Sequence, residues 1–194
     1  HPRLGAAFVK TWIPVSSTGM TSIPMKPKTH VLPDLLEHDL KLVLIGTAAS
    51  AASAKAQAYY AHPGNLFWPT LFKTGLTPRQ FSPTDFPQLL DFGIGLTDIA
   101  KSATGSDAQI PDDAWDADAL VVKIRKYQPR YVGFTSKAAA TSTLGLKKID
   151  YGLFPEGLGE TGVFVLPSPS GRARGYWDDT WWFALARLVK QITQ

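Results

Sequence analysis

Two segments of the sequence combine side chains that could bind a flat, polar ligand. The first runs from Gly46 to Trp68 and places small residues after an apolar stretch, followed by Tyr60 and Asn65. Small residues let a ligand approach the backbone closely. A tyrosine offers a face on which a nucleobase can stack, worth roughly 1–3 kcal/mol, and an asparagine donates and accepts hydrogen bonds. This segment could therefore bind a base and either read its edge or orient a water molecule.

The second segment, LPSPSGRARGYW, runs from Leu166 to Trp177. The Ser168 and Ser170 hydroxyls and nearby backbone N–H groups could hold phosphate oxygens, and two arginines add positive charge. A glycine followed by an arginine could also push the Arg172 side chain into a duplex at the position that a base has left. The segment is therefore a candidate phosphate-binding loop.

Both segments also have a purely structural explanation. Tyr59 and Tyr60 are compatible with a place in the core, and Asn65 is compatible with the cap of a following helix. A loop rich in Pro, Ser and Gly is often only a solvated connection. On residue types alone, the structural explanations are the more economical.

The elements that must position the two segments alternate between strands and helices. Short apolar runs predict buried strands at 41–45, 131–135 and 161–166. Apolar spacing predicts helices at 65–74, 85–90, 114–126 and 178–194, and a helical turn is expected at 33–38. We therefore predict an α/β fold, a single-domain three-layer α/β/α sandwich with a mainly parallel central sheet. Ligands bind such sheets beyond the carboxyl ends of the strands, where the loops after Ile45 and Leu166 would lie.

The composition of the 194 residues argues against several other chemistries. There is no cysteine, which excludes disulfides and thiolate metal clusters, and the four histidines show no HxxxH or HxH pairing. No apolar run approaches the roughly 20 residues that span a bilayer. We therefore expect no metal, no other cofactor and no membrane partner. The net charge of +4 permits a nucleic-acid partner without requiring one.

The chain begins at His1, whereas the stretch from Met20 (MTSIPMKPKTH) is typical of a natural start. We therefore expect residues 1–19 to be a leader or vector-derived sequence. The folded domain is expected to span residues 20–194.

The first segment resembles the leading motif of the mismatch-specific uracil and thymine DNA glycosylases. That motif is a strand ending in G-x-N-P-G, then an aromatic residue, then a stretch similar to HPxNxFW. Gly46 matches the first glycine, Tyr60 the aromatic residue, and 62–68 (HPGNLFW) the second half. LPSPSGRAR resembles the second motif of the family, which supplies the DNA wedge and phosphate contacts. Two stretches between them, FGIGLTDIAK (92–101) and KYQPRYVGFTSK (126–137), resemble intervening family segments in the same order.

The resemblance extends from about Lys41 to Arg174 and implies a DNA-repair enzyme of the uracil-DNA glycosylase superfamily. Such an enzyme flips a deaminated base, here most simply uracil, out of DNA and hydrolyses its N-glycosidic bond. The implied partners are DNA that contains uracil or another deaminated base and the abasic-site product. A monomer with a cytoplasmic, nucleoid-associated location is expected.

One departure from the family pattern affects the expected mechanism. The asparagine of G-x-N-P-G, which orients the attacking water, falls on Ala48, whose side chain cannot hydrogen-bond. The hypoxanthine/uracil glycosylase branch also lacks this asparagine and has a YYxxPxN segment similar to residues 59–65, which makes Asn65 the candidate replacement. The second-motif asparagine of the bacterial mismatch enzymes is replaced by Ser168.

The resemblance implies three groups of site residues. Asn65, with His62 as a further candidate, is expected to act in catalysis. The expected base-binding residues are Gly46, Thr47, Ala48, Ser50 and Tyr60. The expected DNA-binding residues are Ser168, Ser170, Gly171, Arg172 and Arg174.

Two other functions compete with a glycosylase. Loss of the leading asparagine could leave a protein that grips uracil-containing or abasic DNA with weak or no turnover. A protein that binds a free nucleotide would be expected to carry a phosphate loop of the GxxxxGK type, and the sequence has none.

Overall fold

The computed structural model describes residues 28–192. The predicted leader at 1–19 and the predicted start of the domain at Met20 lie outside the described residues, so both stay predictions.

A five-stranded sheet forms the centre of the fold. Its strands are β1 (Leu42–Gly46), β2 (Ile94–Asp98), β3 (Tyr131–Phe134), β4 (Gly152–Leu158) and β5 (Thr161–Val165), in the order β2-β1-β3-β5-β4. β1 pairs in parallel with β2 and β3, and β3 pairs in parallel with β5. β4 runs antiparallel to β5 at one edge. The predicted mainly parallel sheet is confirmed.

Five α-helices and four 3₁₀ helices surround the sheet in the described part of the chain. The α-helices are α1 (Ala51–Ala56), α2 (Phe67–Lys73), α3 (Ala117–Tyr127), α4 (Lys137–Leu144) and α5 (Thr180–Lys190). The 3₁₀ helices span Pro83–Phe92, Asp107–Gln109, Asp112–Ala114 and Gly171–Tyr176. Side chains of Ser50, Asp116 and Ser136 cap α1, α3 and α4 by accepting a hydrogen bond from the third residue after them.

Side chains of the strands alternate between two buried layers. On one face, Leu42 and Leu44 pack with residues of α2 and α5 such as Leu71 and Trp182. On the other face, Val43 packs with buried residues of α3 and α4. Because successive strand residues point to opposite faces, this alternation produces the predicted three-layer α/β/α sandwich.

The predicted helical turn at 33–38 is wrong. Leu35 lies in an extended stretch and forms an isolated antiparallel bridge with Leu96 of β2, with N–H···O distances of 2.9 Å in both directions. The open edge of β2 offers backbone partners that the segment would lose in a helix, and such edges are commonly covered. The segment therefore closes one side of the sheet.

The other predicted strands and helices agree with the structure to different extents. The three predicted strands agree with β1, β3 and β5 to within one residue at each end, and the predicted helices overlap α2, α3 and α5. The helix predicted at 85–90 lies within the 3₁₀ helix Pro83–Phe92, whose interior contains Pro87. β2, β4, α1 and α4 were not predicted. β4 contains Pro155 and Gly157, residues that are unfavourable in a central strand and tolerated at an edge.

Candidate active site

A cavity of about 600 Å³ opens where the four parallel strands end. Its wall comes from the segments that follow β1, β2, β3 and β5, as the predicted position of the two loops requires. The sequence-predicted residues on this wall are Gly46, Thr47, Ala48, Ser50, Tyr60, Asn65, Ser168, Ser170 and Arg172. The other three, His62, Gly171 and Arg174, do not line the cavity.

The loop after β1 is held rigidly against the segment after β2. The carbonyl oxygens of Gly46 and Thr47 accept hydrogen bonds from the Ile99 and Ala100 N–H groups at 3.0 and 2.8 Å. Ser50 then caps α1 by accepting a hydrogen bond from the Ser53 N–H at 3.1 Å. The cavity wall on this side is therefore a fixed backbone surface that carries small side chains.

Tyr60 is fixed in an uncommon conformation beside the cavity. Its φ angle is +53°, a left-handed value that non-glycine residues rarely adopt and that often marks functional sites. One ring face stacks on Phe67 with a centroid distance of 3.8 Å and an interplanar angle of 12°. The Tyr60 hydroxyl lies 3.2 Å from Thr135 Oγ1, which in turn donates to the Ile45 carbonyl oxygen. Tyr60 also lines the cavity, which makes its ring a candidate surface for a flat ligand.

Asn65 has two separate roles available to its two side-chain ends. Its Oδ1 accepts a hydrogen bond at 2.9 Å from the N–H of Phe67, the first residue of α2, and so caps the start of the helix from the residue before the N-cap Leu66. The structural explanation for this residue is therefore correct as far as the oxygen is concerned. The amide NH₂ has no hydrogen-bond partner among residues 28–192, and the residue lines the cavity. Asn65 can thus offer a ligand a donor, whereas its acceptor is already occupied.

His62 is exposed and outside the cavity wall. Its Nδ1 accepts a hydrogen bond from the Gly64 N–H at 3.0 Å and shapes the turn that leads to Asn65. The geometry gives His62 a place in the turn, and its predicted catalytic role has no support from the cavity.

Asp98 is a candidate site residue that reasoning from the sequence missed. It is the last residue of β2, only 6% exposed, and it lines the cavity. Burial raises the pKa of the Asp98 carboxyl to about 6, against the opposing effect of the Lys101 ammonium group. The available signal was an acidic residue directly after a buried apolar run, in the stretch IGLTD.

Gly46 is required for this carboxyl group to sit where it does. A Cβ at residue 46 would lie 2.6 Å from Asp98 Oδ1 and 3.2 Å from the Tyr60 hydroxyl oxygen. Both distances are shorter than ordinary carbon–oxygen contacts, and the carboxyl is packed in a buried site. The absence of a side chain at Gly46 therefore lets the backbone, the carboxyl and the phenol meet.

Thr47 contributes an unsatisfied polar atom to the same wall. Its side chain is buried, and within the described residues its Oγ1 has no hydrogen-bond partner. A buried hydroxyl without a partner costs about 1–3 kcal/mol. Such a group is typical of a site that a ligand completes.

The second loop docks on the first. The Pro169 carbonyl oxygen accepts the Leu66 N–H at 2.8 Å, and Arg174 Nη2 donates to the Gly64 carbonyl oxygen at 3.4 Å. A Cβ at Gly171 would lie 3.4 Å from the same Gly64 oxygen. Gly171 and Arg174 therefore join the two loops, which leaves Arg172 as the arginine on the cavity wall.

The two serines of this loop also shape it. Ser168 Oγ accepts the Ser170 N–H at 3.3 Å, and Ser170 Oγ accepts the Arg172 N–H at 3.4 Å. In both bonds the serine is the acceptor, so each hydroxyl proton stays free to be donated. Both serines line the cavity and can offer these protons to an anion.

A network of one buried and two partly exposed charged side chains holds the Tyr59 hydroxyl. Asp34 contacts Lys101 and Lys123 through its two carboxyl oxygens, at 3.0 and 2.6 Å. Lys101 Nζ also donates to the Tyr59 hydroxyl at 3.0 Å, and Tyr59 is a core residue, as its structural explanation required. Burial strongly raises the pKa of Tyr59, which keeps this phenol neutral.

Neither a metal cluster nor a membrane span is found in the described part of the chain. Among residues 28–192, no three His, Cys, Asp or Glu side chains are grouped so that they could hold a metal ion. In the same range, no helix combines the length and the apolar character needed to cross a bilayer.

An α/β/α sandwich with a polar cavity at the carboxyl ends of its parallel strands defines a class of ligand-binding and catalytic domains. The family model of the uracil DNA glycosylase superfamily matches residues 33–188, which is well over half of the chain. The protein therefore belongs to the uracil DNA glycosylase superfamily, a family of DNA glycosylases that act on DNA.

A solved structure of another protein has the same fold. It is the solution NMR structure of a protein from Methanosarcina acetivorans that is named as a candidate uracil DNA glycosylase. The two structures are similar with a TM-score of 0.57 and 20% sequence identity, over 82% of this chain and 97% of that chain. The predicted glycosylase-like fold is confirmed.

Proposed function

We propose that the protein is a monofunctional uracil-DNA glycosylase. It would take a deaminated base, uracil first, out of DNA into the cavity, hydrolyse the N-glycosidic bond and leave an abasic site. The observation that carries the proposal is the buried Asp98 carboxyl, with its raised pKa, on the same cavity wall as the unpartnered Thr47 hydroxyl. Family membership supplies DNA as the polymer on which the cavity acts.

The chemistry asks mainly for electrostatic help at the leaving base. As the bond from C1′ to the base nitrogen breaks, the sugar becomes cationic and the base becomes anionic. Donors aimed at the base carbonyl oxygens stabilise that anion most effectively in a water-excluded site. Flipping the nucleotide costs a few kcal/mol, which the cavity contacts must offset.

Asp98 supplies one such donor in its protonated form. A base that enters the cavity excludes water, which favours the neutral carboxyl beyond the pKa of about 6 that burial already produces. The neutral acid donates its proton in a hydrogen bond to a base carbonyl oxygen, where negative charge grows. An ionised Asp98 would instead repel the departing anion, so the protonated form is the active one.

Thr47 and Asn65 complete the set of donors. The Thr47 hydroxyl gains the partner that it lacks among the described residues, and the Asn65 amide contributes its uncommitted NH₂. Tyr60 presents to the base the ring face that Phe67 does not cover. These groups replace the leading-motif asparagine by stabilising the leaving base, because Ala48 cannot activate water.

Attack by water then needs positioning rather than proton removal. The sugar cation is a strong electrophile, and a water molecule that accepts a hydrogen bond from the Asn65 NH₂ keeps a lone pair free to bond to C1′. The proton that this water loses after attack passes to the uracil anion, so that neutral uracil and the abasic sugar are the products. Ser168, Ser170 and Arg172 of the second loop, which also line the cavity, hold the flanking phosphates. Arg172 is also the candidate to fill the gap that the flipped base leaves.

The second candidate function is a protein that binds uracil-containing or abasic DNA with weak or no turnover. Two observations favour it: Ala48 stands in place of the water-orienting asparagine, and the Asn65 oxygen is occupied by the helix cap. Both functions share the same DNA-binding cavity. The monomeric state and the cytoplasmic, nucleoid-associated location stay predictions.

Single-turnover excision, with protein in excess over labelled oligonucleotides that contain one uracil or one hypoxanthine, separates the two functions. We expect the parent protein to release uracil. An Asn65→Asp variant keeps the oxygen that caps α2 but loses the NH₂ donor, so its excision rate should fall at least tenfold with little change in stability. Asn65→Ala removes both and should also lower the unfolding free energy by about 1 kcal/mol.

Two results would contradict this scheme. Tight binding of abasic DNA by the parent without any uracil release would establish the binding function instead. Full activity of Asn65→Asp would remove the donor role of Asn65 and leave this residue as a helix cap only.

A further inference from the structure

A second group of side chains lies on the cavity wall and has no place in the scheme above. Lys137, Tyr151 and Tyr176 all line the cavity, and we refer to these three residues as the aromatic rim. Lys137 opens α4, Tyr151 directly precedes β4, and Tyr176 ends the 3₁₀ helix that starts at Gly171. Three separate segments thus bring two phenol rings and one cation to the cavity.

Tyr176 is 78% exposed, the largest exposed fraction among the exposed large hydrophobic side chains of the described residues. Exposing an aromatic ring forfeits the free energy that its burial would contribute. Tyr176 belongs to the same short helix as Arg172, whose side chain also reaches the cavity wall. Packing in the core therefore does not account for the position of Tyr176, which lines the cavity.

Tyr151 is held more firmly than Tyr176. Lys137 Nζ lies 4.1 Å from the centroid of the Tyr151 ring, and the Trp181 ring centroid is 6.5 Å away. Tyr151 and Tyr176 line the same cavity, and partial burial and, to a smaller extent, Tyr176 raise the pKa of Tyr151. The aromatic rim thus consists of one supported ring, one exposed ring and a cation.

Aromatic rings interleaved with cations suit single-stranded nucleic acid. Unpaired bases stack on the rings with about 1–3 kcal/mol per base, and the cations neutralise the phosphates between them. In a duplex the neighbours of a flipped nucleotide are already paired and stacked. In a single strand their faces are free to leave the strand and contact the protein.

We propose that the aromatic rim holds an unpaired base next to the nucleotide in the cavity, so that single-stranded DNA is a preferred substrate. This inference rests on one part of the proposed function, which is that the cavity receives a nucleotide of DNA. Tyr176 stacks on the neighbouring base, and Lys137 lies beside the phosphate that joins the two nucleotides.

Fluorescence anisotropy with the full chain tests this preference without requiring any excision. The probes are a labelled single strand with one tetrahydrofuran abasic site and the same strand annealed to its complement. Tyr176→Ala should weaken binding of the single strand about tenfold and binding of the duplex less than twofold. Tyr176→Phe keeps the ring and should restore single-strand binding to within twofold of the parent.

Tyr127→Ala is the matched control. Lys126 Nζ lies 4.9 Å from the Tyr127 ring centroid, so this pair has the same chemistry as Lys137 and Tyr151. Tyr127 ends α3 shortly before β3 begins, at the opposite end of the sheet from the cavity. Its replacement should leave both affinities within twofold of the parent.

The outcomes separate this inference from the glycosylase proposal. An equal loss for both probes, or no loss for the single strand, would overturn the aromatic rim as a single-strand site even if uracil is excised. A loss confined to the single strand would support it even in a parent that releases no uracil.

Discussion

Asp34 and Asp98 are two carboxyl groups within reach of the same lysine, and the structure surrounds them differently. Asp34 contacts Lys101 and Lys123 and accepts a hydrogen bond from the Thr97 hydroxyl at 2.6 Å. These partners hold the pKa of Asp34 below its ordinary value even though burial acts in the opposite direction. Asp98 is more buried and lines the cavity, and burial raises its pKa to about 6.

The difference separates a carboxyl that serves stability from one that is a candidate for catalysis in this fold. Both carboxyl oxygens of Asp34 have a partner, and these contacts connect the segment before β1 to β2 and α3. Asp98 holds its proton tightly because nearby partners do not repay the cost of ionising it. A perturbed pKa in a cavity is a sign of function, whereas a partnered carboxyl is a sign of stability.

The largest effect is expected from Asp34→Ala. The variant leaves the buried Lys101 ammonium without its ion pair and should lower the unfolding free energy by about 3–5 kcal/mol. Denaturant unfolding at pH 7 measures this loss. Because the pKa of Asp34 is lowered by folding, its contribution is present above the unfolded pKa and is lost as the pH falls through the folded value. A loss of unfolding free energy below about 1 kcal/mol would contradict the view that Asp34 is the carboxyl that stabilises the fold.

Asp98→Asn should change the unfolding free energy in the opposite direction. The folded pKa of Asp98 is raised, so its favourable contribution is complete below the unfolded pKa and disappears as the pH rises through about 6. Asparagine does not ionise, and the variant should be more stable than the parent at pH 8 by up to about 3 kcal/mol, since each pKa unit is worth about 1.4 kcal/mol. Melting temperatures at pH 5 and pH 8 check this, and a variant destabilised at both would identify Asp98 as structural.

The smallest effect is expected in the pH dependence of activity, which we assign to Asp98 and not to Asp34. If protonated Asp98 donates to the leaving base, kcat/KM for uracil excision should fall about tenfold per pH unit above about 6. Asp98→Asn is a donor at every pH and should lose this dependence while keeping measurable activity. Asp118→Asn, the same charge change on the exposed face of α3, should retain the pH dependence of the parent. An unchanged profile in Asp98→Asn would assign the titration to another group.

Much of the fold follows from local patterns in the sequence. The runs at 41–45, 131–135 and 161–166 are strands because continuous apolar stretches suit strands buried on both faces. The two loops of interest were placed at the ends of such strands and do line one cavity. β2 and β4 were missed because Gly95 and Pro155 weaken the local pattern, and only pairing with neighbouring strands makes them strands.

The site could be predicted only as far as residue type and order reach. The sequence by itself determined that Ala48 stands where a water-orienting asparagine is expected and that Asn65 follows a pair of tyrosines. It could not show that the Asn65 oxygen accepts a hydrogen bond at the start of α2, that Arg174 donates to the Gly64 carbonyl oxygen, or that His62 does not line the cavity. Each of these outcomes is a competition between partners that lie close only after folding.

Tertiary structure alone decided the chemistry of Asp98. In the sequence it is one acidic residue among sixteen, and its ordinary pKa would make it a solvated anion. Folding buries Asp98 at the end of β2 and places Gly46 so close that a Cβ there would lie 2.6 Å from Asp98 Oδ1. Lys101 forms its ion pair with Asp34 instead. The proton affinity of a carboxyl depends on its solvation and neighbours, and both are set by residues distant along the chain.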